Sequence, residues 1–207
     1  MIVLGLTGSI GMGKSTAAAM LRRIGIPVHD ADAAVHRLMA KGGAAVPAIE
    51  AAFPGVVRDG AVDRKALGAK VFGHPQELQR LEKILHPMVQ AVARRFVQHA
   101  RAQRRRMVVL DIPLLYETGG EKRCDAVIVV TAPRFLQRAR VLARPNMTPE
   151  RLTQIEKLQM PDAEKRRRAD ILINTGLGRR TAFRALRRAL SELPGRQKKA
   201  QQKRRAS

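Results

Sequence analysis

Some short stretches of the 207-residue chain are apolar without alternation. They are Ile2 to Leu6, Ile26 to His29, Met107 to Leu110, Ala126 to Val130 and Ile171 to Ile173. A strand covered on both faces has no polar side, so these runs predict a buried, five-stranded parallel sheet. Between them the apolar spacing becomes helical. Ala17, Met20, Leu21 and Ile24 fall on one face, and Gly25 stops that run. Phe183, Leu186, Leu190 and Leu193 form a similar stripe, with Arg184, Arg187 and Arg188 turned away. Alternating strand and helix imply an α/β fold with right-handed crossovers.

Two intervals are too long for a simple crossover, and both read as helical insertions. In 32–106 the stripes are Val35, Leu38 and Met39, then Leu78, Leu81 and Leu85, then Val89, Val92 and Phe96. His86-Pro87 breaks this run into two helices or leaves one kinked helix. In 134–169 a basic helix leads to a Pro145-Asn146-Met147-Thr148 turn, and a second helix opens at Thr148-Pro149-Glu150 with a cap and an N1 proline. Insertions of this kind supply substrate contacts and moving lids. The expected division is a core of 1–31, 107–133 and 170–195, insertions at 32–106 and 134–169, and a tail at 196–207.

Composition narrows the picture. With 3% aromatic residues and no Trp, the core must be aliphatic. Cys124 is the only cysteine, which excludes an internal disulfide framework and a multi-Cys metal site. No apolar run approaches the roughly 18 residues of a membrane span, and the N-terminus reads as a strand, so a cytoplasmic location is expected. The formal charge is +23, and the tail carries Arg196, Lys198, Lys199, Lys203, Arg204 and Arg205. That tail reads as a disordered basic extension able to attract polyanions without specificity. The remaining charge is scattered and lacks interleaved aromatics, which argues against a single-strand stacking surface and leaves nucleic-acid binding a minor alternative.

The chemistry concentrates in Leu6-Thr7-Gly8-Ser9-Ile10-Gly11-Met12-Gly13-Lys14-Ser15-Thr16. Gly8 to Ser15 fits G-x-x-x-x-G-K-[ST], between a predicted strand and an amphipathic helix, the context that supports a phosphate-binding loop. Glycines let the backbone wrap a triphosphate, the helix start adds positive partial charge, Lys14 bridges β- and γ-phosphates, and Ser15 offers a hydroxyl to Mg²⁺. Gly8, Gly11, Met12, Gly13, Lys14, Ser15 and Thr16 are therefore the expected contacts for ATP. A dinucleotide loop would need a third glycine where this chain has Thr16.

Acids follow two strands. Asp30 and Asp32 are two apart, and in extended backbone would share a side. One of them near the γ-phosphate would serve as a base; equally, Asp32 would cap the next helix. Asp111 reads either as an acid holding Mg²⁺ through water or as a strand-end turn residue.

The segments "LTGSIGMGKST", "VHDAD", "LEKILHPMV", "LDIPLLYE" and "QMPDAEKRRRADILINTG" occur in the order found in bacterial dephospho-CoA kinases, and the chain resembles that family from roughly Ile2 to Leu193. The resemblance implies a P-loop kinase core with a helical acceptor domain (32–106) and a lid (134–169). It implies phosphoryl transfer from ATP, with Mg²⁺, to the 3′-hydroxyl of dephospho-CoA. By position, Asp32 would be the general base, and His86 and Pro87 would belong to the acceptor-binding domain. Arg140 and Arg144 would clamp the transferring phosphates, and Asn174 would lie near the adenine. Two departures stand out: Ser9 where many members carry a second glycine, and Pro145 after Arg144. A kinase of another small-molecule or nucleotide acceptor is the alternative.

Overall fold

The apolar runs all form strands in the computed structural model, which describes the backbone of residues 1–205 and side chains as far as Leu193. Along the chain come β1 (Ile2–Thr7), α1 (Lys14–Arg23), β2 (Val28–Asp30), α2 (Ala31–Met39) and α3 (Val46–Ala52). Next are β3 (Val57–Arg58), β4 (Ala61–Val62), α4 (Arg64–Val71), α5 (Pro75–Ala102) and β5 (Met107–Asp111). A short 3₁₀ turn precedes β6 (Ala126–Thr131), and α6 (Arg134–Leu142), α7 (Pro149–Leu158), α8 (Asp162–Arg168), β7 (Ile171–Asn174) and α9 (Arg179–Arg205) complete the order. The proposed tail, Arg196 to Ser207, lies outside the residues whose side chains are described; the bounds of α9 run into it as far as Arg205.

The chain divides into two compact units, residues 2–28 with 106–207, and residue 1 with 29–105. The first is built on the sheet, whose order is β2-β5-β1-β6-β7. β1 pairs in parallel with β5 and β6, and β6 with β7. Every residue of β6 and all but the first of β1 are buried, as a sheet with two covered faces requires. Leu4, Leu6, Ile128 and Val130 pack with Ala17 and Leu21 of α1 and Leu186, Leu190 and Leu193 of α9. Each such leucine contributes about 1.5–3 kcal/mol, and the packing fixes the ends of β1 and α1, between which the glycine loop runs.

The second unit packs Leu38, Ile49, Phe53, Val56, Leu67 and Leu81 into its own core, with Leu85, Val89 and Val92 of α5 against it. α5 is one helix with Pro87 inside it. The interval is not wholly helical: β3 and β4 form an antiparallel hairpin, Val57 opposite Val62 and Arg58 opposite Ala61. Its turn residues Asp59 and Gly60 have φ of 51° and 77°, the conformation that twists two strands together.

Candidate active site

The glycine loop leaves β1 at Gly8, where a Cβ would lie 2.4 Å from a Val130 methyl and 2.7 Å from the Val130 carbonyl oxygen. No side chain fits there. The loop ends at Gly13, the N-cap of α1, with φ 91° and no side chain capping the helix. The first-turn N–H groups of α1 are therefore left as donors, the arrangement that receives an anion.

Three successive carbonyls of the loop are held by side chains. Gln137 Nε2 donates to Ile10 O at 3.0 Å, Arg140 Nη1 to Gly11 O at 3.4 Å, and Thr175 Oγ1 to Met12 O at 2.7 Å. In a planar trans peptide the N–H points opposite to the C=O. The Gly11 and Gly13 N–H groups are thus directed away from Gln137 and Thr175, which suits a cradle for phosphate oxygens. The Ile10 N–H donates to Gln159 Oε1 at 3.0 Å.

Arg140 reaches both the loop and the turn after β7. Besides Gly11 O, its guanidinium donates to Thr175 Oγ1 and Thr175 O, both at 3.1 Å, so it braces the loop against the turn after β7. Arg144 lies just past α6, exposed. Asn174, exposed at the end of β7, accepts from Gly176 N–H through Oδ1 at 2.8 Å. Thr175, Gln137 and Gln159 were not singled out from the sequence. Each meets the loop across more than 120 positions of chain, and no local pattern marks such a contact.

Lys14 Nζ lies 2.5 Å from Asp111 Oδ1, and Asp111 is buried at the end of β5. This joins the loop's lysine to a strand-end acid. Ser15 is exposed in the first turn of α1 and Thr16 is half-buried. A serine hydroxyl and a carboxylate are hard oxygen donors that fit Mg²⁺. Among the described residues no cluster of three His, Cys, Asp or Glu side chains is placed to hold a metal.

In the other unit, Asp30 and Asp32 do not share an extended face. β2 ends at Asp30, which caps α2 by accepting the Ala33 N–H at 2.9 Å, so the capping role expected for Asp32 falls to Asp30. Asp32 stands in the first turn of α2, exposed. His86 and Pro87 lie on α5, both exposed.

A buried ion pair stands behind the loop segment. Lys165 of α8 is fully buried, and its Nζ lies 2.8 Å from Glu117 Oε1. Glu117 also accepts the Met160 N–H at 2.8 Å. Burial pushes the Glu117 carboxyl up, but Lys165 and the Met160 N–H outweigh it and hold the group below its ordinary value. Beside it, burial raises the Tyr116 hydroxyl to about 12, and that hydroxyl donates to Arg168 O at 3.0 Å.

The family model described as dephospho-CoA kinase matches residues 2–178. The chain belongs to the dephospho-CoA kinase family. A relative of that name from Paramagnetospirillum magneticum is 68% identical over 166 residues, 80% of this chain and 78% of its own. Another from Rhodospirillum rubrum is 56% identical and spans 92% of this chain and 90% of its own. A crystal structure from Thermus thermophilus superposes with a TM-score of 0.78 at 39% identity, covering 93% of this chain and 97% of that one. A shikimate kinase from Acinetobacter baumannii, at 14% identity and a TM-score of 0.52, shares the fold. This kinase therefore has the P-loop architecture that its sequence implied. No helix among its described residues is long and apolar enough to cross a membrane.

Proposed function

We propose that this kinase transfers the γ-phosphoryl group of ATP to the 3′-hydroxyl of dephospho-CoA, releasing ADP and coenzyme A, the last step of coenzyme A synthesis in the cytoplasm. The observation that carries the reading is the Gly8 to Ser15 loop, its carbonyls held from outside and Lys14 seated on Asp111, in a chain of this family.

Asp32 takes the proton of the acceptor hydroxyl as its oxygen bonds to the γ-phosphorus. The bond from that phosphorus to the bridging oxygen breaks, and ADP leaves with the electron pair. Lys14 moves from Asp111 onto the β- and γ-phosphates, and Arg144 meets the charge on the transferring oxygens. Arg140 acts through the loop, Asn174 lies near the adenine, and His86 and Pro87 belong to the acceptor side. Ser15, and Asp111 through water, would hold Mg²⁺, which neutralises phosphate charge when bound with ATP. Residues 32–106 form the acceptor domain, and 134–169 a lid over the nucleotide.

Purified protein with ATP, Mg²⁺ and dephospho-CoA should form ADP and coenzyme A. Turnover no greater than that of Lys14→Ala would reject the reading. Asp32→Asn should lower kcat far more than ATP affinity; an unchanged kcat removes Asp32 as the base.

A further inference from the structure

We infer that Gln159 is a positioning residue that makes the shape of the nucleotide loop depend on the segment joining α7 to α8. The inference rests on the reading that Gly8 to Ser15 binds a triphosphate, and it is independent of which acceptor is used.

Both backbone polar groups of Ile10 are taken by side chains. Gln137 donates to its carbonyl and Gln159 accepts its N–H, each at 3.0 Å. The two glutamines differ in how they are held. Gln137 is 4% exposed within α6, on a helix face packed in the core. Gln159 is half-buried and stands at the C-cap of α7 in extended backbone, where the chain turns toward α8. Its neighbour Met160 is tied to Glu117, which in turn pairs with buried Lys165. Gln159 is thus presented to the loop from the same short segment that Glu117 anchors. A shift of that segment withdraws the side-chain acceptor of the Ile10 N–H and leaves Gln137 to orient the residue. Ile10 precedes Gly11, whose N–H is aimed by the same peptide unit that Gln137 holds, so freedom at Ile10 becomes freedom in the phosphate cradle.

A cavity of about 460 Å³ opens beside this contact, lined by Ser9, Gln137, Gln159 and Asp162 among others. The Ser9 hydroxyl is buried there with no hydrogen-bond partner among the described residues. The contact is therefore not sealed by packing, which gives the segment room to release it.

The test uses the full chain with Gln159→Met, which removes the acceptor at similar volume, and Gln159→Glu, which keeps it. Hydrogen exchange of the Ile10 amide is read without ligand, and ATP affinity by calorimetry without any acceptor. A net hydrogen bond of about 0.5–1.5 kcal/mol corresponds to roughly 2–12-fold. Gln159→Met should speed Ile10 exchange and raise the Kd for ATP by about that factor. Gln159→Glu should keep the Ile10 amide protected, while its added charge repels the triphosphate. Equal protection in the wild type and in Gln159→Met, or an ATP Kd within twofold of wild type, would overturn the coupling. Wild-type protein that binds no ATP would instead overturn the triphosphate reading on which it rests.

Discussion

Replacing Lys165 with methionine removes one charge of a buried pair and leaves the other. The lysine side chain is fully buried and Glu117 is 16% exposed, so the surviving carboxylate keeps only a narrow path to water. Breaking such a pair costs about 3–5 kcal/mol. The residual exposure of Glu117 and its bond from Met160 N–H place the expectation near the lower end, about 3 kcal/mol. The cost should depend on pH. In the wild type the Glu117 carboxyl lies below its ordinary value of 4.5. Its stabilisation is therefore complete above that value and lost as pH falls through the folded one. Without Lys165 the burial effect is opposed only by backbone N–H donors, so the carboxyl rises above its wild-type value and the folded variant binds a proton more readily than the folded wild type. The gap between wild type and variant must then be widest near neutrality and close on acidification. Urea unfolding followed by circular dichroism at about pH 7.5 and about pH 5 measures it, using the linear dependence of stability on denaturant. Adding Glu117→Gln, which keeps an acceptor for Met160 N–H, should recover a third or more of the loss near neutrality. A gap below about 1 kcal/mol near neutrality, or one unchanged by both acid and the second substitution, would refute the reasoning.

Other expectations follow from single residues. Gly13→Ala places a methyl 2.8 Å from Thr175 Oγ1 at a φ of 91°; ATP affinity should fall about 5–160-fold, the factor corresponding to strain of about 1–3 kcal/mol, and a Kd within twofold of wild type would show that the loop relaxes. Burial holds the Cys124 thiol at about 11 against an ordinary 9.0, so iodoacetamide should label it at neutral pH about 100-fold more slowly than a free thiol, because the thiolate is the nucleophile. Labelling at the free rate would show that the thiol opens to solvent. Burial first, then Arg37, lowers His29 from 6.5, against the opposing pull of Asp30. Below 6.5 the unfolded chain takes up a proton that the fold resists, so stability should decline as pH falls from about 7 to about 5. His29→Gln should flatten that decline, and an unchanged slope would assign it to other groups.

The sheet was legible because a parallel strand with two covered faces cannot hide its composition; Ile2 to Leu6 and Ala126 to Val130 each lie within one residue of the strands observed. The glycine loop was legible because its function is carried by local backbone. The β3–β4 hairpin has a local signal too, Asp59-Gly60 between Val57-Arg58 and Ala61-Val62, but strands of two residues make no apolar run. The choice between Asp30 and Asp32 as cap was not legible, since either side chain suits the position and only the end of β2 decides. Arg140 shows the commonest limit: the resemblance implies a phosphate clamp there, while its contact with Thr175 lies 35 positions away, and nothing in the pattern joins them.

The strand order also has a consequence in time. β1 and the glycine loop are made before β5 and β6, yet β1 lies between those two strands, and the loop's carbonyls wait for Gln137, Arg140 and Thr175. At ribosomal speeds of about 5–20 residues per second, the roughly 100 residues separating β1 from β5, the earlier-made of its two neighbours, take on the order of 5–20 s to appear. Throughout that interval an apolar strand has neither of the neighbours it pairs with in the fold, which makes β1 a segment that a chaperone would shield.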